Sequence, residues 1–114
     1  MNDKPPDVPE ITVTELKARL DAGDVPVLVD VREHYEAEIA DLPEHGQARI
    51  PTGEFAARLE ELDRDGELVI YCRSGSRSEW AARLLLESGY DRVFNLRGGI
   101  LAWREEVDPS LTAY

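Results

Sequence analysis

Apolar residues along this chain recur in two rhythms, one suited to helices and one to buried strands. Val13, Leu16 and Leu20 fall on one helical face, Thr12 and Glu15 have the spacing of a capping box, and Gly23 follows. After Pro26 comes Val27-Leu28-Val29-Asp30-Val31, a short β-branched run that suits a strand buried on both faces. Residues 33–39 suit a short helix. Residues 40–53 contain Pro43, Gly46, Pro51 and Gly53 and predict mostly loop, with a brief strand near 48–50. Phe55, Leu59 and Leu62 share one side of a predicted helix over 54–62. Asp65-Gly66 then turns the chain into Leu68-Val69-Ile70-Tyr71, the second clear buried strand. Residues 78–88 predict an amphipathic helix stopped at Gly89, residues 93–96 a third clear strand, and residues 100–107 a final helix after Gly98-Gly99. Strands alternating with helices at these intervals predict parallel βαβ units, an α/β fold with helices on both faces of an open sheet. Strand order does not follow from the pattern.

Composition narrows the function. The chain has 114 residues, room for one domain that buries roughly two-thirds of its unfolded surface. Residues 1–9, with Pro5, Pro6 and Pro9, read as a flexible lead-in, and residues 10–114 as the domain. The formal charge of -11 argues against a nucleic-acid binder, which needs a basic surface to neutralise phosphates. No apolar run approaches the ~20 residues of a membrane span, and residues 1–10 lack the basic start and apolar stretch of a signal peptide. A cytoplasmic protein is expected, with a reduced thiol. Cys72 is the only cysteine, so there is no intramolecular disulfide. One Cys and two separated His make a poor ligand set, so neither a metal nor an organic cofactor is implied.

That cysteine lies where chemistry is expected. Cys72 ends the second clear strand, and Arg73-Ser74-Gly75-Ser76-Arg77 leads from it into the amphipathic helix. In open α/β sheets ligands bind beyond the carboxyl ends of strands, where loops meet helix N-termini. A loop of small residues lets successive N–H groups point inward as an anion cradle, reinforced by the helix dipole. With Arg73 and Arg77 beside it, Cys72 is expected to be a thiolate nucleophile whose attached anion the loop would stabilise. The bland alternative is a buried Cys that merely closes a strand. Two guanidinium groups have no place in that alternative.

At this loop the chain resembles the rhodanese-like (sulfurtransferase) domains. The resemblance rests on Val29-Asp30-Val31-Arg32-Glu33, on Cys72 to Arg77, and on Leu96-Arg97-Gly98-Gly99-Ile100-Leu101-Ala102-Trp103, in that order along residues 10–114. It implies a doubly wound α/β fold with a five-stranded parallel sheet, and catalysis by one Cys that carries sulfane sulfur as a persulfide. Carried over, Cys72 would bear the sulfur, and Arg73, Ser74, Gly75, Ser76 and Arg77 would hold it with backbone amides and draw in an anionic donor. Asp30 and Arg32 match the family's Asp-x-Arg element. Asp30 is expected to orient a loop arginine and Arg32 to be structural, the plain alternative being a surface salt bridge. The tail over 105–114 resembles the end of the rhodanese domain in adenylyltransferase/sulfurtransferase proteins, where a small sulfur-carrier protein accepts the sulfur.

Loop length separates two chemistries. Cysteine phosphatases of similar design place five residues between Cys and Arg, whereas only four separate Cys72 from Arg77. The shorter loop suits a sulfur atom and disfavours phosphatase or arsenate reductase activity. A rhodanese-fold module that binds partners without turnover is the other alternative, opposed by the intact Cys72 and its two arginines. Family members often carry Gly-His-Ile-Pro-Gly-Ala after the second helix; residues 40–51 depart from that, which bears on one pocket wall and hence on the acceptor. His34 and His45 are expected to be exposed, Trp103 to pack in the core, and Trp80 to flank the pocket mouth. The expected donor is a small anion such as thiosulfate or a protein persulfide, and the expected acceptor a thiol or sulfur-carrier protein. An acidic exterior does not steer thiosulfate from afar, which favours the protein or thiol donor.

Overall fold

The fold was obtained as a computed structural model, which describes residues 7–114. Eleven elements follow in order: β1 (Glu10–Ile11), α1 (Val13–Asp21), β2 (Val27–Asp30), α2 (His34–Ile39), β3 (Ala48–Arg49), α3 (Thr52–Arg58), a 3₁₀ turn (Leu59–Glu61), β4 (Leu68–Tyr71), α4 (Ser76–Glu87), β5 (Val93–Leu96) and α5 (Gly99–Glu106). The strands form one five-stranded sheet in the order β1-β5-β4-β2-β3, every pair parallel. The expected α/β architecture is present, with β4 at its centre.

Period-two geometry splits the apolar residues of the central strands between two cores. Val29 and Val31, with Leu68, Ile70 and Cys72, face Phe55 of α3 and Ala81, Ala82 and Leu85 of α4. Leu28, Val69 and Tyr71 face the opposite side, against Leu16 of α1 and Ile100 and Trp103 of α5. This is why the strand sequences do not alternate: both faces are covered by helices. The capping box of α1 forms as its spacing predicts, with the Thr12 hydroxyl accepting from Glu15 N–H and the Glu15 carboxylate from Thr12 N–H.

Several boundaries differ from expectation: α3 opens at Thr52 rather than residue 54 and gives way to the 3₁₀ turn after Arg58, and α5 opens at Gly99 rather than residue 100. The lead-in expected over residues 1–9 lies outside the described residues as far as residue 6. Beyond it, Val8 packs on the first core and the Pro9 carbonyl accepts from Asn95 N–H at 2.8 Å. β1 has only two residues and no pattern of its own; its pairing with Asn95 and Leu96 of β5 makes it a strand. Helix α4 starts at Ser76 rather than residue 78, because Gly75 takes a φ of +108° and turns the chain directly into the helix. No helix among the described residues is long and apolar enough to cross a membrane.

Candidate active site

Cys72 follows the last residue of the central strand and is fully buried at the foot of α4. No side chain caps that helix at Gly75, so the N–H groups of its first turn lack the usual acceptor. The cysteine sulfur takes that place. Gly75 N–H donates to Cys72 Sγ at 3.1 Å, Ser78 N–H reaches it at 3.4 Å, and the Ser78 hydroxyl lies 3.3 Å away. That hydroxyl also reaches Asn95 Oδ1 at 2.6 Å, so its single proton serves one of the two acceptors at a time. Burial pushes the Cys72 thiol up. The Ser78 hydroxyl, and then the N–H groups of Ser78, Gly75 and Ser74, outweigh burial and hold the thiol below its ordinary value.

The N–H groups face inward because the carbonyls are held outward. Helix α5 begins beside the loop, and its Ile100 and Leu101 N–H groups donate to the Cys72 and Arg73 carbonyls, each at 3.0 Å. Asn95 Nδ2 holds the Gly75 carbonyl at 3.1 Å. Close approach demands glycine at 99: a Cβ there would lie 2.3 Å from the Cys72 carbonyl oxygen. Gly98-Gly99 is thus part of the site, brought to it by β5 lying next to β4.

Both loop arginines are already engaged. Arg77 Nη1 and Nη2 donate to the Glu36 carboxylate at 2.8 and 2.9 Å. That pair and the Glu33 N–H outweigh burial and hold the Glu36 carboxyl down to about 2. Arg73 Nε donates to the Tyr114 main-chain oxygen at 2.5 Å, with its guanidinium carbon 5.3 Å from the centre of the Tyr114 ring. Ser74 and Ser76 are exposed, and of these two Ser74 contributes its N–H to the sulfur.

Asp30 requires a correction. It orients neither Arg73 nor Arg77; the carboxylate holding a loop arginine is that of Glu36. Arg32 folds back to bind Asp30 through Nε and Nη2 at 2.9 and 3.0 Å, and Arg49 Nη1, from the residue paired with Asp30 across β2 and β3, donates at 2.7 Å. This is no surface bridge either, since Asp30 and Arg32 are 2 % and 1 % exposed. Arg32 also donates to the Glu36 and Ala40 carbonyls, to Asp41 and to the Tyr114 hydroxyl, and so ties residues 36–41 and the tail to the end of β2. Its expected structural role fits these contacts.

Trp80 is half exposed and, with Thr52, Gly53 and Arg77, lines a shallow recess of about 290 Å³ beside the loop, as a flank of the mouth would. Trp103 is buried in the second core, and His34 and His45 are exposed. A larger recess of about 440 Å³ is lined by Glu10, Ile11, Glu15, Ala18, Arg19, Glu67 and Phe94 and includes none of the loop residues. Glu36, Ser78 and Asn95 did not stand out as site residues in the sequence; Gly98-Gly99 and the tail ending at Tyr114 carried a signal only as parts of the family resemblance.

Comparison with known proteins bears on the family and the fold. The family described as the Rhodanese-like domain matches residues 12–106. The chain belongs to the rhodanese-like family. A sulfurtransferase of Allochromatium vinosum is 44% identical over 97 residues, covering 84% of this chain and 88% of that protein. The maize adenylyltransferase and sulfurtransferase MOCS3-2 is 34% identical over 116 residues, covering 96% of this rhodanese-like chain but only 24% of the maize protein. The human single-domain sulfurtransferase TSTD1 superimposes with a TM-score of 0.75 at 27% identity, covering 87% of this chain and 97% of the human one. Fold and relatives together support sulfur transfer as the general activity.

Proposed function

We propose that this rhodanese-like chain carries sulfane sulfur as a persulfide on Cys72 and passes it to a nucleophilic acceptor. The observation that carries the proposal is the convergence of Gly75 N–H, Ser78 N–H and the Ser78 hydroxyl on one buried sulfur. The Cys72 thiolate attacks the outer sulfur of thiosulfate, or the terminal sulfur of a protein persulfide. A new S–S bond forms to Cys72, the donor's S–S bond breaks, and sulfite or the donor thiolate leaves with the bonding pair. The terminal sulfur now on Cys72 is an anion, and the loop N–H groups and the positive end of α4 stabilise it. An acceptor nucleophile then attacks that sulfur, and the Cys72 thiolate leaves, ready for the next cycle.

Cyanide serves as acceptor in the assay, with thiocyanate as product. In the cell the acceptor is a thiol or a sulfur-carrier protein. The maize relative, which couples an adenylyltransferase to a sulfurtransferase in its name, favours the carrier, as does the resemblance of the tail. A single unpaired thiol suits a reducing, cytoplasmic setting. With no second cysteine to resolve the persulfide, the sulfur must leave to an external acceptor.

A thiosulfate:cyanide assay on wild type and Cys72→Ser tests this, with intact mass measured after thiosulfate alone. The expected outcome is one added sulfur on wild type, removable by reductant, and no turnover by the variant. Equal rates for the two proteins, or no adduct on wild type, would overturn the proposal. Hydrolysis of an aryl phosphate would point instead to phosphatase chemistry, which the four-residue spacing from Cys72 to Arg77 opposes.

A further inference from the structure

Tyr114 lies far from the loop in sequence yet meets the first loop arginine, Arg73, and the buried Arg32. Arg73 donates to its main-chain oxygen and sits over its ring, 5.3 Å from the centroid. Its hydroxyl accepts from Arg32 Nη1 at 2.7 Å, and the same guanidinium is held by Asp30 and Asp41. The segment leading there is anchored independently. Val107 and Asp108 N–H donate to the Trp103 carbonyl at 2.9 and 2.8 Å, and Arg104 Nε donates to the Leu111 carbonyl at 2.8 Å. Leu111 and Tyr114 pack against the second core.

We infer that Tyr114 is a positioning residue: its ring and main-chain oxygen set Arg73, and its hydroxyl, held by Arg32, fixes the ring in place. Tyr114 thereby fixes a cation beside Cys72 and governs recognition of an anionic sulfur donor. The physical basis is preorganisation. A free arginine side chain samples many rotamers, and ordering it only when the donor arrives weakens binding. Arg32, itself held by Asp30 and Asp41, supplies the fixed point against which the tyrosine hydroxyl is oriented.

The inference rests on sulfur loading at Cys72, and the experiment separates the two. Thiosulfate:cyanide kinetics are measured for wild type, Tyr114→Phe and Tyr114→Ala, with intact mass to follow loading and thermal melting to follow the fold. Phe keeps the ring and loses the hydroxyl, so kcat/KM for thiosulfate is expected to fall about threefold, the loss of a modest hydrogen bond. Ala loses ring and hydroxyl, keeping only the main-chain oxygen, and is expected to fall about tenfold or more. The kcat/KM for cyanide, which reports unloading, is expected to stay within about twofold, because an effect through the donor-binding cation is confined to loading. In an Arg73→Lys background the Phe substitution is expected to add nothing further, since the hydroxyl acts through the ring that sets Arg73.

Wild type that acquires no sulfur from thiosulfate sinks the loading mechanism and this inference with it. Wild type that loads, beside Tyr114→Phe with unchanged kcat/KM for thiosulfate, overturns the inference alone. So does an equal fall for thiosulfate and cyanide, the signature of a general structural defect. If Tyr114→Ala fails to fold, Tyr114→Phe and its coupling to Arg73 still decide the matter.

Discussion

Gly99→Ala is the most severe small change the geometry of this site predicts. The added Cβ would sit 2.3 Å from the Cys72 carbonyl oxygen, 2.7 Å from the Arg73 carbonyl oxygen and 2.9 Å from the Arg73 carbonyl carbon. Ordinary nonbonded contact begins near ~3.5 Å, and all three atoms belong to backbone that α5 already holds by hydrogen bonds. Gly99 also has a φ of +55°, where a side chain costs about 1–2 kcal/mol. Overpacking against backbone adds about 1–3 kcal/mol, for a total of about 2–5 kcal/mol. In a domain of this size that corresponds to a fall in Tm of at least about 8 °C.

Urea denaturation measures that loss, and iodoacetamide alkylation of Cys72 in the folded protein reports whether the sulfur still sits among its donors. Gly53→Ala is the matched control. A Cβ there meets nothing within 4 Å, the backbone has no positive φ, and position 53 lies in the first turn of α3. Alanine is expected to stabilise it by up to about 0.5–1 kcal/mol. Opposite signs from the same substitution at two glycines follow from their surroundings alone. A Gly99→Ala protein within about 1 kcal/mol of wild type, alkylated at the wild-type rate, would refute the claim that the start of α5 sets the loop.

Ser78→Ala removes the one hydroxyl able to turn toward a charged Cys72 sulfur, and alkylation at neutral pH is expected to slow about threefold. An unchanged rate would mean that the proton stays with Asn95 throughout. Arg32→Lys keeps a charge but replaces a buried fork holding Asp30, Asp41, two carbonyls and Tyr114, and is expected to destabilise by about 3–5 kcal/mol in urea. A loss below about 1 kcal/mol would reduce the network to ornament. Glu36 makes stability pH-dependent. Its folded carboxyl, held down to about 2 against an ordinary 4.5, takes up a proton less readily than in the unfolded chain. Its contribution is therefore complete above about pH 4.5 and lost as pH falls toward 2. Urea midpoints of wild type and Glu36→Gln are expected to converge through that window, and a constant gap would contradict the assignment.

The parts of this fold that were legible in the sequence are those written in contiguous residues. β2, β4 and β5 announce themselves because each is a four-residue run largely buried on both faces, and α1 because its cap and apolar face lie within one short segment. The Cys72 loop was legible for the same reason: nucleophile, small residues and helix start follow one another without interruption. β1 was not, because two residues carry no period and become a strand only through their register with β5.

The misassigned carboxylate shows where local reading ends. Asp30 sits in the recognisable element, but residues 30 and 32 are two apart at the end of a strand, so Arg32 turns back on its own neighbour, and the β3 register brings Arg49 to the same carboxylate. With two guanidinium groups on it, Asp30 has nothing left for the loop. Glu36 has: it projects from α2 with its carboxylate unclaimed by β2 or β3, and Arg77, 41 residues later, takes it. No spacing rule links residue 36 to 77 or residue 73 to 114, because what joins them is the order of strands in the sheet and the course of the tail across its carboxyl end. Yet the functional consequence is local. The charges nearest Cys72 are set by partners from outside the motif, so a rhodanese-like domain with an identical loop but a different α2 or tail is expected to recognise its sulfur donor differently.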